Sequence, residues 1–322
     1  MTGTPSGGTM DPCAMQPATS TSVAHPATPP SVNFHLWEPC NMRCRFCFAT
    51  FQDVRRDVLP KGHLPEQEAL QVVSVLASRF QKITFAGGEP LLCPWLPRLA
   101  AMAKAHHTTT MLVTNGSRLD SAMLERLRGV IDWVTLSIDS ISPDTHARLG
   151  RAVHGKALTP QQYLDIAERV RAAGLRLKVN TVVTRLNVDE DQTAFIRLLK
   201  PERWKLLRVL RVEGQNTDPG EGQEPRNVED LLCAPEDFHR FVERHRRLEA
   251  DGIVLVPEDN EDMRGSYAMV DPAGRFFDNV EGGHHYSDPI LRRGLDAAWS
   301  QVRFHPERFL GRDGFYDFGG ES

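Results

Sequence analysis

One pattern constrains this chain more than any other. Short β-rich runs alternate with helical segments, and several of the runs are polar along one face. In Val32–Trp37, the apolar Val32, Phe34 and Leu36 enclose Asn33 and His35. In Trp133–Asp139, Val134, Leu136 and Ile138 alternate with Thr135, Ser137 and Asp139. In Leu175–Thr181, Leu175, Leu177 and Val179 alternate with Arg176, Lys178 and Asn180. Successive side chains of a strand point to opposite faces, so each set occupies one side of a sheet. Repeated β-then-α order favours a parallel sheet, yet a parallel strand covered on both faces is apolar throughout. Two geometries satisfy both facts. One is a curved or barrel sheet with helices outside and a hydrophilic interior that holds a ligand; the other is a two-faced sheet open to water. The helical segments need an apolar face to pack on and the alternation recurs, which favours the barrel.

The strands are expected at 32–37, 82–86, 110–114, 133–138, 175–183, 205–212 and 253–256. Helices are expected near 65–79, 95–106, 120–128, 160–173, 190–199, 236–250 and 289–302. Thr159-Pro160 reads as a helix N-cap followed by Pro at the first helical position, and Gly174 as a helix stop. Tyr267–Asn279 reads as a hairpin around Asp271-Pro272-Ala273-Gly274, followed by a polar loop rich in Gly and His. The fold class is therefore α/β: a partial, open (β/α)6 barrel with its site at the C-terminal ends of the strands. Residues 1–30, rich in Pro, Ser, Thr and Gly, form a disordered tail in this reading. The barrel covers 31–256, and a C-terminal extension over 257–322 covers its mouth.

Bulk properties set outer bounds. The 322 residues are 40% hydrophobic and 25% charged, as in a globular protein with a real core. A formal net charge of -4 carries no basic signature, so a nucleic-acid polymer is not the expected partner. No apolar run approaches the ~20 residues needed to cross a membrane, and the N-terminus lacks a secretory pattern. A cytoplasmic monomer is expected.

The six cysteines are distributed unevenly: Cys40, Cys44 and Cys47 crowd together, while Cys13, Cys93 and Cys233 are scattered. This is no disulfide framework; it points to a metal site in a reducing compartment. Three thiolates in Cys40-Asn41-Met42-Arg43-Cys44-Arg45-Phe46-Cys47 can wrap one cubic iron–sulfur cluster and leave its fourth iron open for a ligand. Zinc is the competing reading, since soft thiolates suit both. A structural zinc has four protein ligands, however, and neither His35 nor Cys93 completes a zinc-finger rhythm. A second element, Gly87-Gly88-Glu89-Pro90, ends the run Ile83-Thr84-Phe85-Ala86. Its glycines permit close backbone approach and Glu89 can accept charge-assisted hydrogen bonds.

Cys-x3-Cys-x2-Cys with Phe46 before the last cysteine, followed by Gly87-Gly88-Glu89-Pro90, resembles the radical S-adenosylmethionine (SAM) superfamily. The resemblance implies a 4Fe-4S cluster on Cys40, Cys44 and Cys47, with SAM chelating the open iron through its amino and carboxylate groups. It implies reductive cleavage of SAM to methionine and a 5′-deoxyadenosyl radical. It also assigns Phe46, Gly87, Gly88, Glu89, Asn115, Ser137 and Arg151 to the SAM site. The alternative roles are a cap for Ser137, a solvated charge for Arg151 and a turn residue in Asn115-Gly116.

Longer stretches resemble the viperin family across roughly residues 31–318. They are Asn33-Phe34-His35, Cys47-Phe48, Lys82-Ile83-Thr84-Phe85 and Thr114-Asn115-Gly116-Ser117. Lys178-Val179-Asn180-Thr181-Val182-Val183-Thr184-Arg185-Leu186-Asn187-Val188 and Pro201-Glu202-Arg203-Trp204-Lys205 are the most diagnostic. Glu213-Gly214-Gln215-Asn216 and Val256-Pro257-Glu258-Asp259-Asn260 agree as well. The resemblance implies conversion of a ribonucleoside triphosphate (CTP, UTP or GTP) to its 3′-deoxy-3′,4′-didehydro form. The radical takes the ribose 4′ hydrogen, the 3′ hydroxyl leaves as water, and an electron and a proton complete the product. Such a nucleotide terminates RNA chains, which implies antiviral or antiphage defence. An electron donor such as flavodoxin or ferredoxin is implied too. Residues 1–30 lack the membrane-binding amphipathic helix of animal viperin, so no membrane partner is expected. The rival reading is another radical SAM enzyme acting on a different small phosphorylated substrate.

The substrate side has its own residue pattern. Lys178 and Asn180 lie two apart on one strand, Arg203 and Lys205 two apart on the next, and Lys82 shares the polar face of its strand with Thr84. Cations gathered in a partly desolvated interior repel one another unless an anion joins them, and a triphosphate is such an anion. The same residues match viperin's phosphate contacts. The competing reading is that they reach solvent at strand ends and pair with carboxylates. In the extension, Asn279, His284, His285 and Tyr286 form either a base-contacting lid, with Asn279 and Tyr286 as its contacts, or a plain surface loop.

Overall fold

Parallel pairing follows from the strand-then-helix rhythm. In the computed structural model, which describes residues 1–3, 28–217 and 227–319, seven strands neighbour one another in chain order. They are β1 (Ser31–Trp37), β2 (Lys82–Gly87), β3 (Thr109–Thr114), β4 (Trp133–Ser137), β5 (Arg176–Val183), β6 (Arg203–Arg208) and β7 (Val254–Glu258). All six pairings among them are parallel. On the other edge, β8 (Ala268–Val270) pairs parallel with β1, and β9 (Arg275–Asp278) and β10 (His285–Pro289) follow antiparallel. The sheet order is β10-β9-β8-β1-β2-β3-β4-β5-β6-β7, so the barrel stays open between β7 and the C-terminal hairpin. Most of residues 1–30, including Cys13, lie outside the described residues.

The polar faces point inward. Asn33 and His35 of β1, Thr135 and Ser137 of β4, and Lys178 and Asn180 of β5 all line one central cavity. Their neighbours Val32, Phe34, Val134, Leu136, Leu177 and Val179 are buried in the hydrophobic core outside the sheet. The helices supply the other half of that core. In Pro160–Ala172, Tyr163, Ile166, Ala167 and Val170 turn inward. That helix opens with a capping box between Thr159 and Gln162, has Pro160 in its first turn, and is followed by Gly174 at φ +77°. A glycine adopts this left-handed conformation without the Cβ clash other residues meet, so the chain can turn into β5.

The seven strands expected from the sequence form this parallel run, with 254–258 as β7. Three features depart from the sequence expectation. The helix expected over 289–302 is two short pieces, Ile290–Arg293 and Leu295–Trp299, broken at Gly294, whose φ of 84° no helix contains. Part of the loop after the hairpin is a strand, β10, whose residues His285-Tyr286-Ser287-Asp288-Pro289 carry no alternation of apolar and polar side chains. The extension also reaches both ends of the barrel. Asp313 pairs with Arg203, Tyr316 accepts a 2.7 Å hydrogen bond from Lys82, and Trp133 donates 2.9 Å to the Phe318 carbonyl. Lys82, Trp133 and Arg203 are the first residues of β2, β4 and β6, so the last stretch of chain closes the end where the strands begin.

Candidate active site

The cavity encloses about 310 Å³. At one end lie Cys40, Cys44 and Cys47, on the loop that leaves β1. Loops hold a shape only if their backbone groups find partners. Here Arg43 N–H donates to the Gly150 carbonyl (3.0 Å), Arg45 N–H to Leu149 (2.9 Å), and the Asn216 amide to Phe46 (3.1 Å). Gly150 sits at φ +77°, and a Cβ there would come within 2.0 Å of the Arg43 carbonyl oxygen. Only glycine permits this contact. The loop is thus fixed by the chain itself, with three half-buried thiols toward the cavity. Among the described residues no three His, Cys, Asp or Glu side chains gather as a single-ion site. Thiols distributed around one cavity instead suit a cluster whose irons each take one thiolate. His35 also lines the cavity, with its ring edge-on to Phe48, Phe51 and Phe277 and its pKa lowered to about 3 by burial. Cys93 is buried in the core under the helices.

Phe46, Gly87, Gly88, Asn115, Ser137 and Arg151 all line the same cavity, with Ser137 in register with Asn180 and Lys205 where its two ends meet. Glu89 lies behind the cavity wall rather than on it. It is fully buried, and its carboxylate accepts from Thr114 Oγ1 (2.7 Å), Asn115 N (2.9 Å) and Leu91 N (3.0 Å). Burial pushes its carboxyl upward against those bonds. Glu89 is therefore a brace between the ends of β2 and β3, with Oε1 taking two of these bonds and Oε2 one. The glycines likewise permit an internal contact: a Cβ on Gly88 would lie 2.1 Å from the Glu38 carbonyl oxygen. Asn115 is oriented by neighbours, donating to Asn41 Oδ1 (2.9 Å) and accepting from Ser117 N (2.9 Å).

Arg151 forms a buried ion pair with Asp139, and its guanidinium carbon lies 5.5 Å from the Phe46 ring centroid. Asp139 is the partner that motif reading missed. Its place on the polar face of 133–139 was the available signal. Its other oxygen accepts from Val182 N (2.9 Å), and Asn187 and Gln192 both donate to its carbonyl. Asp139 N and Ser140 N donate to His146 Nε2, which burial keeps neutral with a pKa lowered to about 4.

The other end is cationic. Register places Thr135, Lys178 and Arg203 side by side on β4, β5 and β6, and Ser137, Asn180 and Lys205 side by side one step further. Lys82, Lys178, Arg203 and Lys205 are all buried and all line the cavity. The extension adds Arg312, also buried there, which donates to Glu258 (3.3 Å) and to the Ser266 carbonyl (2.8 Å). Among the described residues two carboxylates oppose these five cations: Glu258, bonded by Lys205 and Tyr267, and Asp313, bonded by Arg203. Among the described residues Lys178 makes no hydrogen bond or ion pair, and Asn180 Oδ1 is buried without a hydrogen-bond partner. Burial and neighbouring cations push Lys82 and Lys178 well below the ordinary lysine range. Burial lowers Lys205 to about 8, with Glu258 resisting the shift. Arg312, Glu258, Tyr267 and Asp313 were not singled out as site residues by the sequence.

The two lid residues separate. Asn279 lines the cavity. Tyr286 lies off it: its hydroxyl donates to Asp53 (2.7 Å), and its ring packs on the Arg275 guanidinium and Phe277. His284 meets the same hydroxyl at 3.1 Å, and His285 is exposed.

Residues 37–199 match the model of the radical SAM superfamily. A protein of Lacinutrix mariniflava named S-adenosylmethionine-dependent nucleotide dehydratase is 46% identical over 90% of this chain, which spans 59% of that relative. A protein of the same name from Flammeovirga pacifica is 45% identical over 90% of this chain and 96% of its own length. The chain belongs to the S-adenosylmethionine-dependent nucleotide dehydratases, the viperin family of radical SAM enzymes. Among solved structures, Streptococcus suis SuiB bound to S-adenosylmethionine superposes with a TM-score of 0.58. It covers 77% of this chain and 59% of its own at 15% identity, a likeness of fold. Members of the radical SAM family use a 4Fe-4S cluster and SAM, and the thiol-lined end of this cavity fits them. No helix among the described residues is long and apolar enough to cross a membrane.

Proposed function

We propose that this enzyme converts a ribonucleoside triphosphate to its 3′-deoxy-3′,4′-didehydro analogue. The observation that carries this reading is the cationic end of the cavity. Lys82, Lys178, Arg203, Lys205 and Arg312 face Glu258 and Asp313, and Lys82 and Lys178 are driven toward neutrality by burial and by the neighbouring cations, Lys205 first among them. A triphosphate with about four negative charges relieves that repulsion, and arginine grips phosphate oxygens with paired bonds. In this reading Lys82, Lys178, Asn180, Arg203 and Lys205 hold the phosphates. Cys40, Cys44 and Cys47 hold the cluster, and Phe46, Gly87, Gly88, Asn115, Ser137 and Arg151 surround SAM, with Glu89 bracing them.

When bound, the cluster and SAM would supply a 5′-deoxyadenosyl radical capable of taking the ribose 4′ hydrogen. The C3′–O bond then breaks; one proton leaves with the hydroxyl as water, and one electron restores a closed-shell sugar. The product lacks the 3′ hydroxyl that RNA polymerases extend, which fits antiviral or antiphage defence. Three free thiols suit the reducing cytoplasm, with a low-potential carrier such as flavodoxin or ferredoxin as electron donor and a monomer as the working unit.

Arg203→Ala or Lys205→Ala tests the clamp. Each weakens nucleotide binding by ~1.5–3 kcal/mol, the scale of a charged hydrogen bond. Iron content and 5′-deoxyadenosine formation without nucleotide remain. If both variants bind triphosphates as the parent does, or if the parent binds a free nucleoside equally tightly, the nucleotide reading is lost.

A further inference from the structure

Four asparagines line the cavity, and they differ in what they can read: Asn33, Asn115, Asn180 and Asn279. Asn115 is bound to Asn41 and Ser117, and Asn180 sits between Ser137 and Lys205 at the cationic end. Asn33 makes no side-chain hydrogen bond among the described residues, so its amide turns freely and offers donor or acceptor alike. Asn279 is different. Its Oδ1 accepts from the backbone N–H of Gly265 at 3.1 Å. A backbone N–H can only donate, so the oxygen is fixed there and the Nδ2 group is left to face the cavity. Among the described residues that NH2 has no acceptor.

The bracket is rigid. Gly265 sits at φ +66°, and a Cβ there would come within 2.6 Å of His305 and 2.7 Å of Val280. The Asn279 carbonyl accepts from Gly282 N (3.2 Å), and Asn279 is only 3% exposed. The thioethers of Met263 and Met269 also line the cavity, whereas the Tyr267 ring is covered by the Arg312 guanidinium and belongs to the cationic end. Soft, polarisable thioethers suit the face of a flat heterocycle. The cluster end and the cationic end are already occupied in the proposed reaction, so the side of the cavity with Asn279 and the two methionines remains for the base.

We propose that Asn279 selects the nucleobase as a fixed hydrogen-bond donor, so that bases with a carbonyl at C4 or C6 (uracil, guanine) are taken ahead of those with an amine there (cytosine, adenine). The inference rests on the nucleotide reading above. An amine facing the Asn279 amine leaves two donors opposed and unpaired, whereas a carbonyl pairs with it.

The test is product formation by the reduced, cluster-loaded enzyme with equimolar UTP and CTP, and with GTP and ATP, resolved by mass. UTP and GTP are expected to lead by roughly 10- to 100-fold. Asn279→Asp keeps an oxygen for Gly265 N–H and presents a second acceptor to the cavity. It should move the UTP-to-CTP ratio toward CTP whatever its overall rate. A parent that prefers CTP or ATP overturns the inference, as does a ratio unmoved by Asn279→Asp. If no triphosphate of the four raises 5′-deoxyadenosine formation or yields a didehydro product, the nucleotide reading itself fails.

Discussion

The two ends of the cavity are built on opposite principles. At the cluster end, charges are matched and the backbone is locked: Arg151 has Asp139, and Gly150 and Leu149 receive the N–H groups of the cysteine loop. At the cationic end, Lys178 has no ion-pair partner among the described residues, and Asp313, the partner of Arg203, is half exposed. The first end is organised before any ligand arrives. The second has unresolved repulsion that an incoming anion relieves. A preorganised site for a reactive cofactor beside an electrostatically poised site for substrate lets each be disturbed without the other.

The largest expected effect lies at the cluster end. Cys44→Ala removes one of three thiolates, and we expect loss of the cluster's visible absorbance and of SAM cleavage. Nucleotide binding at the cationic end should persist, measured by calorimetry on the purified variant. A Cys44→Ala protein that still carries a full cluster and cleaves SAM would remove Cys44 from the ligand set.

A smaller lesion separates loop shape from thiol chemistry. Gly150→Ala leaves every cysteine in place but puts a methyl group 2.0 Å from the Arg43 carbonyl oxygen at a positive φ. The conformational cost alone is about 1 kcal/mol, and the clash adds to it. The loop must shift, so iron retention on dilution and melting temperature should both fall while triphosphate affinity holds. Parent-like iron retention would show that the Leu149–Gly150 contact does not position the loop.

Protonation sharpens the contrast further. Burial holds Lys205 at about 8, below the usual lysine range, and the phosphates of a bound nucleotide raise it again. A group whose pKa rises on binding contributes affinity fully below its free-state pKa and loses it as pH climbs through the bound-state value. The Lys205 contribution to triphosphate affinity, taken as the difference between the parent and Lys205→Ala, should therefore be constant below about pH 8 and decline above it, with proton uptake on binding in that upper range. The phosphates themselves titrate near pH 6, below that window. Lys205→Arg, which stays charged, should flatten the decline. Iron content should be insensitive to pH over the same window.

Much of the barrel was legible because its signals are local. Alternation marked β1, β4 and β5, and Thr159-Pro160 and Gly174 marked both ends of a helix. The cysteine loop and Gly87-Gly88 are contiguous motifs, so the cluster end was readable as well. The cationic end was half readable: Lys178 and Asn180, or Arg203 and Lys205, share a face by period two, but nothing local links Arg312, Asp313 or Tyr316 to them. Those three reach the cavity through a turn after the helix Pro306–Gly311, more than a hundred residues beyond β6. The partners of Glu89 were hidden for a related reason. A carboxylate in a motif looks free, and only the fold reveals that Thr114 and Asn115 donate to it. Tyr286 is similar, since its partner Asp53 lies 233 residues away.

The smallest expected effect concerns the cysteines that belong to neither end. Cys93 is buried among core side chains, and burial raises its thiol to about 12. Cys233 is also buried, with Sγ 3.5 Å from the Val183 carbonyl and a thiol raised to about 11. Cys13 lies outside the described residues. Metals take thiolates, and a thiol held protonated in an apolar setting is a small hydrophobe. Neither Cys93 nor Cys233 lines the cavity. Replacing all three with alanine removes two buried sulfur atoms and leaves the cluster ligands untouched. We expect about four irons per chain after reconstitution, as the cluster type requires, and parent-like SAM cleavage. A stability loss of ~1–2 kcal/mol should appear in urea unfolding, the scale of small core truncations. A folded triple variant with a large iron deficit would place one of these cysteines at the cluster. The partition between a locked cofactor end and the rest of the molecule would then have to be redrawn.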